Sequence, residues 1–376
     1  MNPLQQLAAL GQSIWFDYMR RDLVTSGELQ KLIRDDGLKG LTSNPTIFQK
    51  AVEGSNLYDD FLAERASRKA SPGEVFEALA VRDIRDACGV FRPVWEETRH
   101  RDGYSSIEVS PTLAHDTEGS LTEARRLWKT LAVPNVMIKI PGTKEGMPAI
   151  EEAISEGINV NITLLFSQEA YVQVAEAYIR GLEKRAARGE QVSHLASVAS
   201  FFVSRIDTLV EKIIAERVKG GATPEQKRLF DQVTGKVAIA NAKQAYQRYS
   251  KIFSGPRWQA LADKGAKTQR VLWASTGTKN PKYSDVLYVE ELIGPETVNT
   301  IPPATLDAFR DHGKSRRTLD QGLDEADATM LALEKAGISM KEVTDRLVVE
   351  GVKSFADSFQ ELLTSVGARL AAGGKR

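Results

Sequence analysis

Polar and apolar residues alternate with a period of two in several short runs of this chain. In the run 158–163, Asn159, Asn161 and Thr163 lie between isoleucines and a valine. Successive side chains of a strand point to opposite faces, so this run predicts a strand with one apolar and one polar face. Three further runs place polar side chains on one face in the same way: Thr42 and Asn44 in 41–44, Glu108 and Ser110 in 107–110, and Lys139 in 136–140. A half-exposed antiparallel sheet would give this pattern too.

Amphipathic stretches between the runs favour a different sheet. They predict helices at Ser120–Leu131, Thr143–Glu156, Ser167–Arg188 and Asp207–Lys219. Strands that alternate with helices pair in parallel through right-handed crossovers. Eight strands are predicted in all: 14–16, 40–43, 106–109, 136–140, 159–164, 195–203, 271–275 and 297–301. This repeat favours an α/β fold of the (β/α)8 TIM-barrel type with additional helices, whose chemistry lies at the C-terminal strand ends. An open doubly wound sheet is the alternative.

The length of the chain fits one large domain. With 376 residues, 42% of them hydrophobic, and no linker rich in Pro, Gly or Ser, residues 1–376 are predicted to form a single TIM-barrel domain. The additional length is assigned to helical insertions at about 49–98 and 221–268. A C-terminal helical extension is predicted at about 313–370, followed by a disordered tail at 371–376.

The charge balance excludes several classes of partner. The 50 basic and 50 acidic side chains give no net charge, so we expect no nucleic-acid or membrane partner. Residues 1–11 lack the pattern of a signal peptide, and no apolar stretch approaches ~20 residues. A cytoplasmic location is expected, with the oligomeric state left open between monomer and homodimer.

Cofactor and metal chemistry receive little support from the sequence. The single Cys88 is predicted to fill a helical core position, and the four histidines lack zinc-site spacings. A zinc-dependent aldolase would need several histidines to converge. Gly-rich nucleotide loops are absent too. We therefore expect neither a metal nor another cofactor.

Lys139 is the most informative residue, because it lies inside the apolar run 136–140. Burial disfavours an ammonium and pushes the pKa of its amine down toward neutrality. A neutral amine is a nucleophile that condenses with a sugar carbonyl to form a Schiff base. The alternatives are a lysine at a strand edge that reaches solvent, or one salt-bridged to a neighbour.

Three segments resemble the transaldolase family. Residues 40–48 (GLTSNPTIF) are similar to the asparagine–proline signature of that family, and 136–146 to its Schiff-base lysine signature. Residues 157–166 are a third match to it. The likeness runs in order from Asp17 to about Pro303, and the long connections resemble the larger bacterial-type subgroup. The resemblance implies a pentose phosphate pathway enzyme that transfers dihydroxyacetone from a ketose phosphate to an aldose phosphate.

The resemblance also implies roles for individual side chains. Lys139 would form the Schiff base, and Asp17 would take the proton from the C4 hydroxyl, although its other reading is a helix N-cap. Glu108 would transfer protons through a water held by Thr163. Asn44 and Asn161 would bind hydroxyls of the retained three-carbon unit.

Phosphate recognition is assigned to two segments. Ser200 and Arg205 match the family's serine and arginine, where a guanidinium could bind phosphate bidentately; the alternative for Arg205 is a salt bridge with Asp207. Ser275 matches a second serine, but the arginine expected two residues later is a glycine here. We expect Lys279 to replace that arginine, in preference to Lys282.

Two other functions remain open from the sequence. One is an aldolase on the same barrel that releases free dihydroxyacetone from fructose 6-phosphate. The other is a non-catalytic barrel that binds sugar phosphates, although such a protein has no need of a buried amine.

Overall fold

Eight parallel strands form a closed barrel in a computed structural model that describes residues 2–67 and 70–373. Neighbours in the barrel follow chain order, and β8 closes it by pairing with β1. The predicted TIM barrel is confirmed, and the open sheet is excluded. The strands are β1 Gln12–Asp17, β2 Gly40–Thr42, β3 Tyr104–Glu108, β4 Val136–Pro141, β5 Val160–Leu165, β6 Ser197–Phe202, β7 Arg270–Ala274 and β8 Thr297–Ile301.

Helices surround the barrel and account for most of the remaining described chain. In order they are α1 Pro3–Ala9, α2 Arg21–Thr25, α3 Glu28–Asp36, α4 Pro45–Glu53, α5 Asp59–Ser67, α6 Pro72–Glu97, α7 Thr117–Leu131, α8 Gly146–Ser155, α9 Gln168–Ala187, α10 Ser204–Lys219, α11 Pro224–Val233, α12 Val237–Ile252, α13 Pro256–Ala262, α14 Leu287–Glu290, α15 Pro303–His312, α16 Leu323–Lys335 and α17 Met340–Gly373. A 3₁₀ turn occupies Pro111–Leu113. Among the described residues, no helix is long and apolar enough to cross a membrane.

The predicted insertions and extension are helical in the structure. Helices α5 and α6 fall within 49–98, α11 to α13 within 221–268, and α16 and α17 follow residue 313. The predicted start of a disordered tail at Ala371 is wrong, because α17 continues to Gly373; the rest of that tail lies outside the described residues. Cys88 is a buried free cysteine in α6, as predicted. That the chain is a single domain remains a prediction.

Strand register brings the predicted polar residues to one level of the barrel. Glu108 of β3 lies beside Lys139 of β4, and Lys139 lies beside Asn161 of β5. Alternate residues of β4, such as Ile138 and Ile140, are fully buried. Since alternate side chains of a barrel strand point inward and outward, this register places the three polar side chains on the same face.

A buried ion pair lies at the opposite, N-terminal end of the barrel. Arg270, the first residue of β7, contacts Asp102 at 2.7 Å, and it also donates to the Ser13 hydroxyl at 2.7 Å. Both charged side chains are at least 90% buried. Burial alone would raise the pKa of Asp102, but Arg270 and the hydrogen bonds hold it below its ordinary value. This end of a TIM barrel serves stability.

Replacing Arg270 with methionine should therefore destabilise the barrel by about 3–5 kcal/mol, because Asp102 would keep a buried charge without its partner. The pKa of that carboxyl should rise in the variant, so protonation would relieve the cost. In thermal unfolding measurements, the difference in unfolding free energy between the wild type and Arg270→Met should become smaller as the pH falls from about 7 to about 4.

Lys341→Met is the matched control, since Lys341 and Asp345 form a pair whose side chains are 83% and 63% exposed. Its effect should stay within about 1 kcal/mol. Equal losses of unfolding free energy in both variants would contradict a stabilising role of the buried ion pair. A loss in Arg270→Met that does not change with pH would contradict it too.

Candidate active site

A cavity of about 490 Å³ opens at the C-terminal ends of the strands. This is the end of a TIM barrel where active sites occur. Eight of the ten residues predicted from the sequence line it: Asp17, Asn44, Lys139, Thr163, Ser200, Arg205, Ser275 and Lys279. The other two, Glu108 and Asn161, are buried beside Lys139 and Ser200.

Lys139 is buried at the floor of the cavity, with 4% of its surface exposed. Its Nζ donates to the Ser43 carbonyl at 3.2 Å and lies 3.4 Å from Oε2 of Glu108. Burial and a salt bridge, which the sequence left as alternatives, occur together in the structure. Solvent exposure at a strand edge is excluded, and the amine has an adjacent carboxylate that can take its proton.

Glu108 is suited to hold that proton. Both of its carboxylate oxygens are buried. Burial raises the pKa of Glu108 above its ordinary value, the positive charge of Lys139 opposes this rise, and the negative charge of Asp17 adds to it. A raised pKa brings a carboxyl closer to the range in which it can both accept and release a proton.

Thr163 points a hydroxyl toward the same space. Its Oγ1 is buried and has no hydrogen-bond partner among the described residues. The register between β5 and β6 shifts between Ile162 and Leu165, and Leu164 takes a positive φ of 61°. Such bulges re-aim side chains beside active sites. The Thr163 hydroxyl is therefore available to a molecule bound in the cavity.

Asp17 ends β1 and lines the cavity. Its Oδ1 accepts from the Thr42 hydroxyl at 2.7 Å, and Thr42 lies 2.6 Å from the Thr300 hydroxyl. Burial raises the pKa of Asp17. The positive charge of Lys139, the Thr42 hydrogen bond and the charges of Arg205 and Lys279 oppose this rise. Helix α2 begins at Arg21, so the alternative role of Asp17 as its N-cap is wrong.

The two asparagines differ in how much of their hydrogen-bonding capacity is free. Asn44 lines the cavity and caps α4, where its Oδ1 accepts from the Ile47 N–H at 2.9 Å; this bond leaves its NH₂ group available to a ligand. Asn161 is fully buried: it donates to the Ser106 hydroxyl at 3.0 Å and accepts from the Ser200 hydroxyl at 2.7 Å. One N–H and one lone pair of Asn161 remain for a ligand.

Basic side chains line the cavity. The Arg205 guanidinium lies over the Phe202 ring, 5.2 Å from its centroid. Asp207 is engaged elsewhere, since it accepts from the Ala238 N–H at 2.8 Å and the Tyr288 hydroxyl at 2.9 Å. The alternative salt bridge between Arg205 and Asp207 is therefore not formed.

The loop after β7 supplies the second basic group. Ser275 has a positive φ of 57°, and its hydroxyl lies 2.9 Å from that of Ser204. Lys279 lines the cavity, whereas Lys282 is exposed outside it. Asn280 donates to Glu211 at 2.9 Å, which ties this loop to α10.

Sequence reasoning missed several residues of the cavity wall. Thr42 was noted only as a polar strand residue, although it is the hydrogen-bond partner of Asp17. Phe355 of α17 also lines the cavity, and no motif signals it. Arg20 and Lys50 add positive charge; Arg20 is paired with Asp22 at 2.5 Å. In the sequence, only the position of Arg20 shortly after β1 and of Lys50 within α4 could have indicated that they line the cavity.

The histidines and acidic residues do not converge. In the part of the chain that the structure describes, no three His, Cys, Asp or Glu side chains are arranged to hold a metal ion.

Comparison with known proteins gives one consistent result. The family described as Transaldolase/Fructose-6-phosphate aldolase matches residues 14–366. The transaldolase of Trichodesmium erythraeum is 50% identical over 367 residues, which cover 97% of this chain and 97% of that protein. Transaldolase 2 of Nostoc sp. is 48% identical over 373 residues, 98% of each chain. The transaldolase of Thiobacillus denitrificans is 47% identical over 98% of this chain and 100% of its own length.

Proposed function

Because the chain belongs to the transaldolase family, we propose that Lys139 forms the Schiff base through which this enzyme transfers dihydroxyacetone. The donor is a ketose phosphate, such as sedoheptulose 7-phosphate or fructose 6-phosphate. The acceptor is an aldose phosphate, such as glyceraldehyde 3-phosphate or erythrose 4-phosphate, as in the pentose phosphate pathway. The observation that carries the proposal is a buried lysine at the cavity floor, 3.4 Å from a buried carboxylate.

The first step activates the amine. Lys139 passes its proton to Glu108, whose pKa is raised by burial, and the free amine attacks C2 of the ketose. The carbinolamine then loses its hydroxyl as water to give a protonated imine. Glu108 supplies the proton for that departure, and the Thr163 hydroxyl positions the water that carries it.

The second step breaks the C3–C4 bond. Asp17 takes the proton from the C4 hydroxyl, and the aldose phosphate leaves with a new aldehyde at C4. The bonding electrons pass from C3 into the protonated imine, which becomes an enamine on Lys139. The imine is the electron sink, so this chemistry requires no metal or other cofactor. Transfer follows when C3 of the enamine attacks the acceptor aldehyde and Asp17 returns the proton.

The retained three-carbon unit needs donors and acceptors for its hydroxyls. Asn44 lines the cavity, and its NH₂ group is available as a donor because the cap of α4 uses its oxygen. Asn161 and Ser200 form a hydrogen-bonded pair behind the lysine. We assign both asparagines to these hydroxyls, with Ser200 orienting Asn161 as well as lining the cavity.

We assign the phosphate of the substrate to Arg205, Ser275 and Lys279, whereas Ser200, predicted from the sequence to join them, donates its hydroxyl to Asn161. Alanine at Arg205 or Lys279 should lower kcat/KM for fructose 6-phosphate roughly ten- to a hundred-fold, since a hydrogen bond to a charged group contributes about 1.5–3 kcal/mol. Unphosphorylated fructose lacks the charged partner, so its already low kcat/KM should change little. The measurement is the ratio of kcat/KM for the two donors in each variant.

Lys282→Ala is the control, because Lys282 is exposed outside the cavity. Its ratio should equal that of the wild type. A ratio that collapses in Lys282→Ala but not in Lys279→Ala would mean that the other lysine binds the phosphate.

Two experiments test the function itself. Borohydride reduction with fructose 6-phosphate, followed by peptide mass mapping, reports which lysine carries the adduct. Product analysis with and without erythrose 4-phosphate separates transferase from aldolase: transfer to the added aldose must outrun release of free dihydroxyacetone. Faster release would support the aldolase alternative.

We further propose that the enzyme acts in the cytoplasm on sugar phosphates, as a monomer or homodimer. Its balanced charge supports the absence of a nucleic-acid partner.

A further inference from the structure

Helix α17 brings an aromatic ring to the Schiff-base lysine. Phe355 is 3% exposed and lines the cavity together with Lys139 and Thr163. The Lys139 Nζ lies 5.8 Å from the centroid of its ring, and the Arg205 guanidinium lies 5.9 Å from it. The ring therefore lies within 6 Å of both the reacting amine and the guanidinium that we assign to the phosphate.

The rest of α17 holds this ring in place. One helical turn before Phe355, Gly351 packs against the bulge of β5: a Cβ added there would lie 2.9 Å from Leu164. On the other side, Ser358 accepts from the Thr46 hydroxyl at 2.9 Å, and Glu361 accepts from Gln49 at 2.8 Å. These contacts attach α17 to β5 and α4, two elements that carry residues of the cavity.

The intermediate on Lys139 is sensitive to water. If C3 of the enamine takes a proton from water instead of attacking an aldehyde, the product is a protonated imine. Addition of a second water to C2 then breaks the C–N bond, regenerates the amine of Lys139 and releases free dihydroxyacetone. Transfer therefore depends on keeping water away from C3 until the acceptor arrives.

We propose that Phe355 is a specificity-determining residue that excludes water from the three-carbon enamine and thereby favours transfer over release. The inference rests on the proposed function. A flat apolar ring beside the amine offers water no hydrogen bond, and its burial under α17 keeps it there.

The test is the ratio of dihydroxyacetone released to dihydroxyacetone transferred, measured with fructose 6-phosphate and saturating erythrose 4-phosphate. Phe355→Ala should raise this ratio about ten-fold or more, since it opens the cavity beside the enamine. Phe355→Leu keeps apolar bulk and should restore most of the wild-type ratio. Both variants are checked for the native circular dichroism spectrum and unfolding temperature.

Phe359→Ala is the matched control, because it removes the same side chain one turn further along α17. Phe359 lies outside the substrate cavity and packs on Phe76, with ring centroids 5.7 Å apart. A general loosening of α17 would raise the ratio in both alanine variants and would overturn the proposal, as would an unchanged ratio in Phe355→Ala. Should Phe355→Ala fail to fold, Phe355→Val removes the ring with a smaller loss of apolar volume. An unchanged ratio in that variant would overturn the proposal as well.

The proposed function is tested separately in the wild type. Absence of a three-carbon borohydride adduct on Lys139 would refute the Schiff-base assignment. If the wild type forms that adduct and transfers dihydroxyacetone, an unchanged ratio of release to transfer in Phe355→Ala would refute only the role of Phe355.

Discussion

Replacing Lys139 with alanine should abolish turnover and adduct formation together. The amine is the group that bonds to the substrate, so its loss should lower kcat by roughly 10⁴- to 10⁶-fold. In the wild type, borohydride with fructose 6-phosphate should leave a three-carbon adduct on Lys139, seen by peptide mass mapping. In Lys139→Ala no peptide should carry this mass.

Lys139→Arg should restore neither activity nor adduct, because a guanidinium stays protonated and is not a usable nucleophile near neutral pH. It retains the positive charge beside Glu108, so it separates loss of the nucleophile from loss of the ion pair. An adduct on another lysine would refute the assignment. Loss of activity with a chelator, restored by zinc, would instead support the metal-dependent alternative.

Replacing Asp17 with alanine should stop the reaction after the imine has formed. Without a base for the C4 hydroxyl, the C3–C4 bond cannot break, and kcat should fall about 10²- to 10⁴-fold. The intact donor should then accumulate on Lys139, so that borohydride traps a six-carbon adduct from fructose 6-phosphate. Rapid formation of a three-carbon adduct in this variant would refute the role of Asp17 as base.

Glu108→Ala provides the contrast, since both residues are carboxylates near the same lysine. Loss of Glu108 should slow imine formation and hydrolysis, so little adduct of either length should form at short times. Equal six-carbon adducts in both variants would mean that the two carboxylates do not act at separate steps. Asp17→Asn and Glu108→Gln test whether loss of charge, rather than of volume, causes each effect.

The barrel and most of its polar residues were predictable because their signals are local. Alternation with a period of two marks the strands, and amphipathic stretches mark the helices between them. The run around Lys139 is a strand at Val136–Pro141, and Cys88 lies in a helix, as predicted. Local patterns were less reliable for the ends of helices. The helix predicted to begin at Asp207 begins at Ser204, and the last helix continues past Ala371.

Contacts between distant segments could not be predicted, since they depend on register and on packing. Whether Lys139 is buried or salt-bridged was undecided until register placed Glu108 beside it. Asp207 accepts hydrogen bonds from Ala238 and Tyr288, which belong to other elements. It therefore does not pair with Arg205, which lines the cavity.

The position of Phe355 is the clearest case. Along α17 it is one apolar residue among many, and its periodicity indicates only that it is buried. Whether it packs in a core or against a reacting amine depends on where the helix crosses the barrel. That crossing follows from close packing of Gly351 on Leu164 and of α17 on α4. The local pattern of residue types thus determined the strands, the helices and the identity of the reacting groups, whereas long-range packing decided which of them meet.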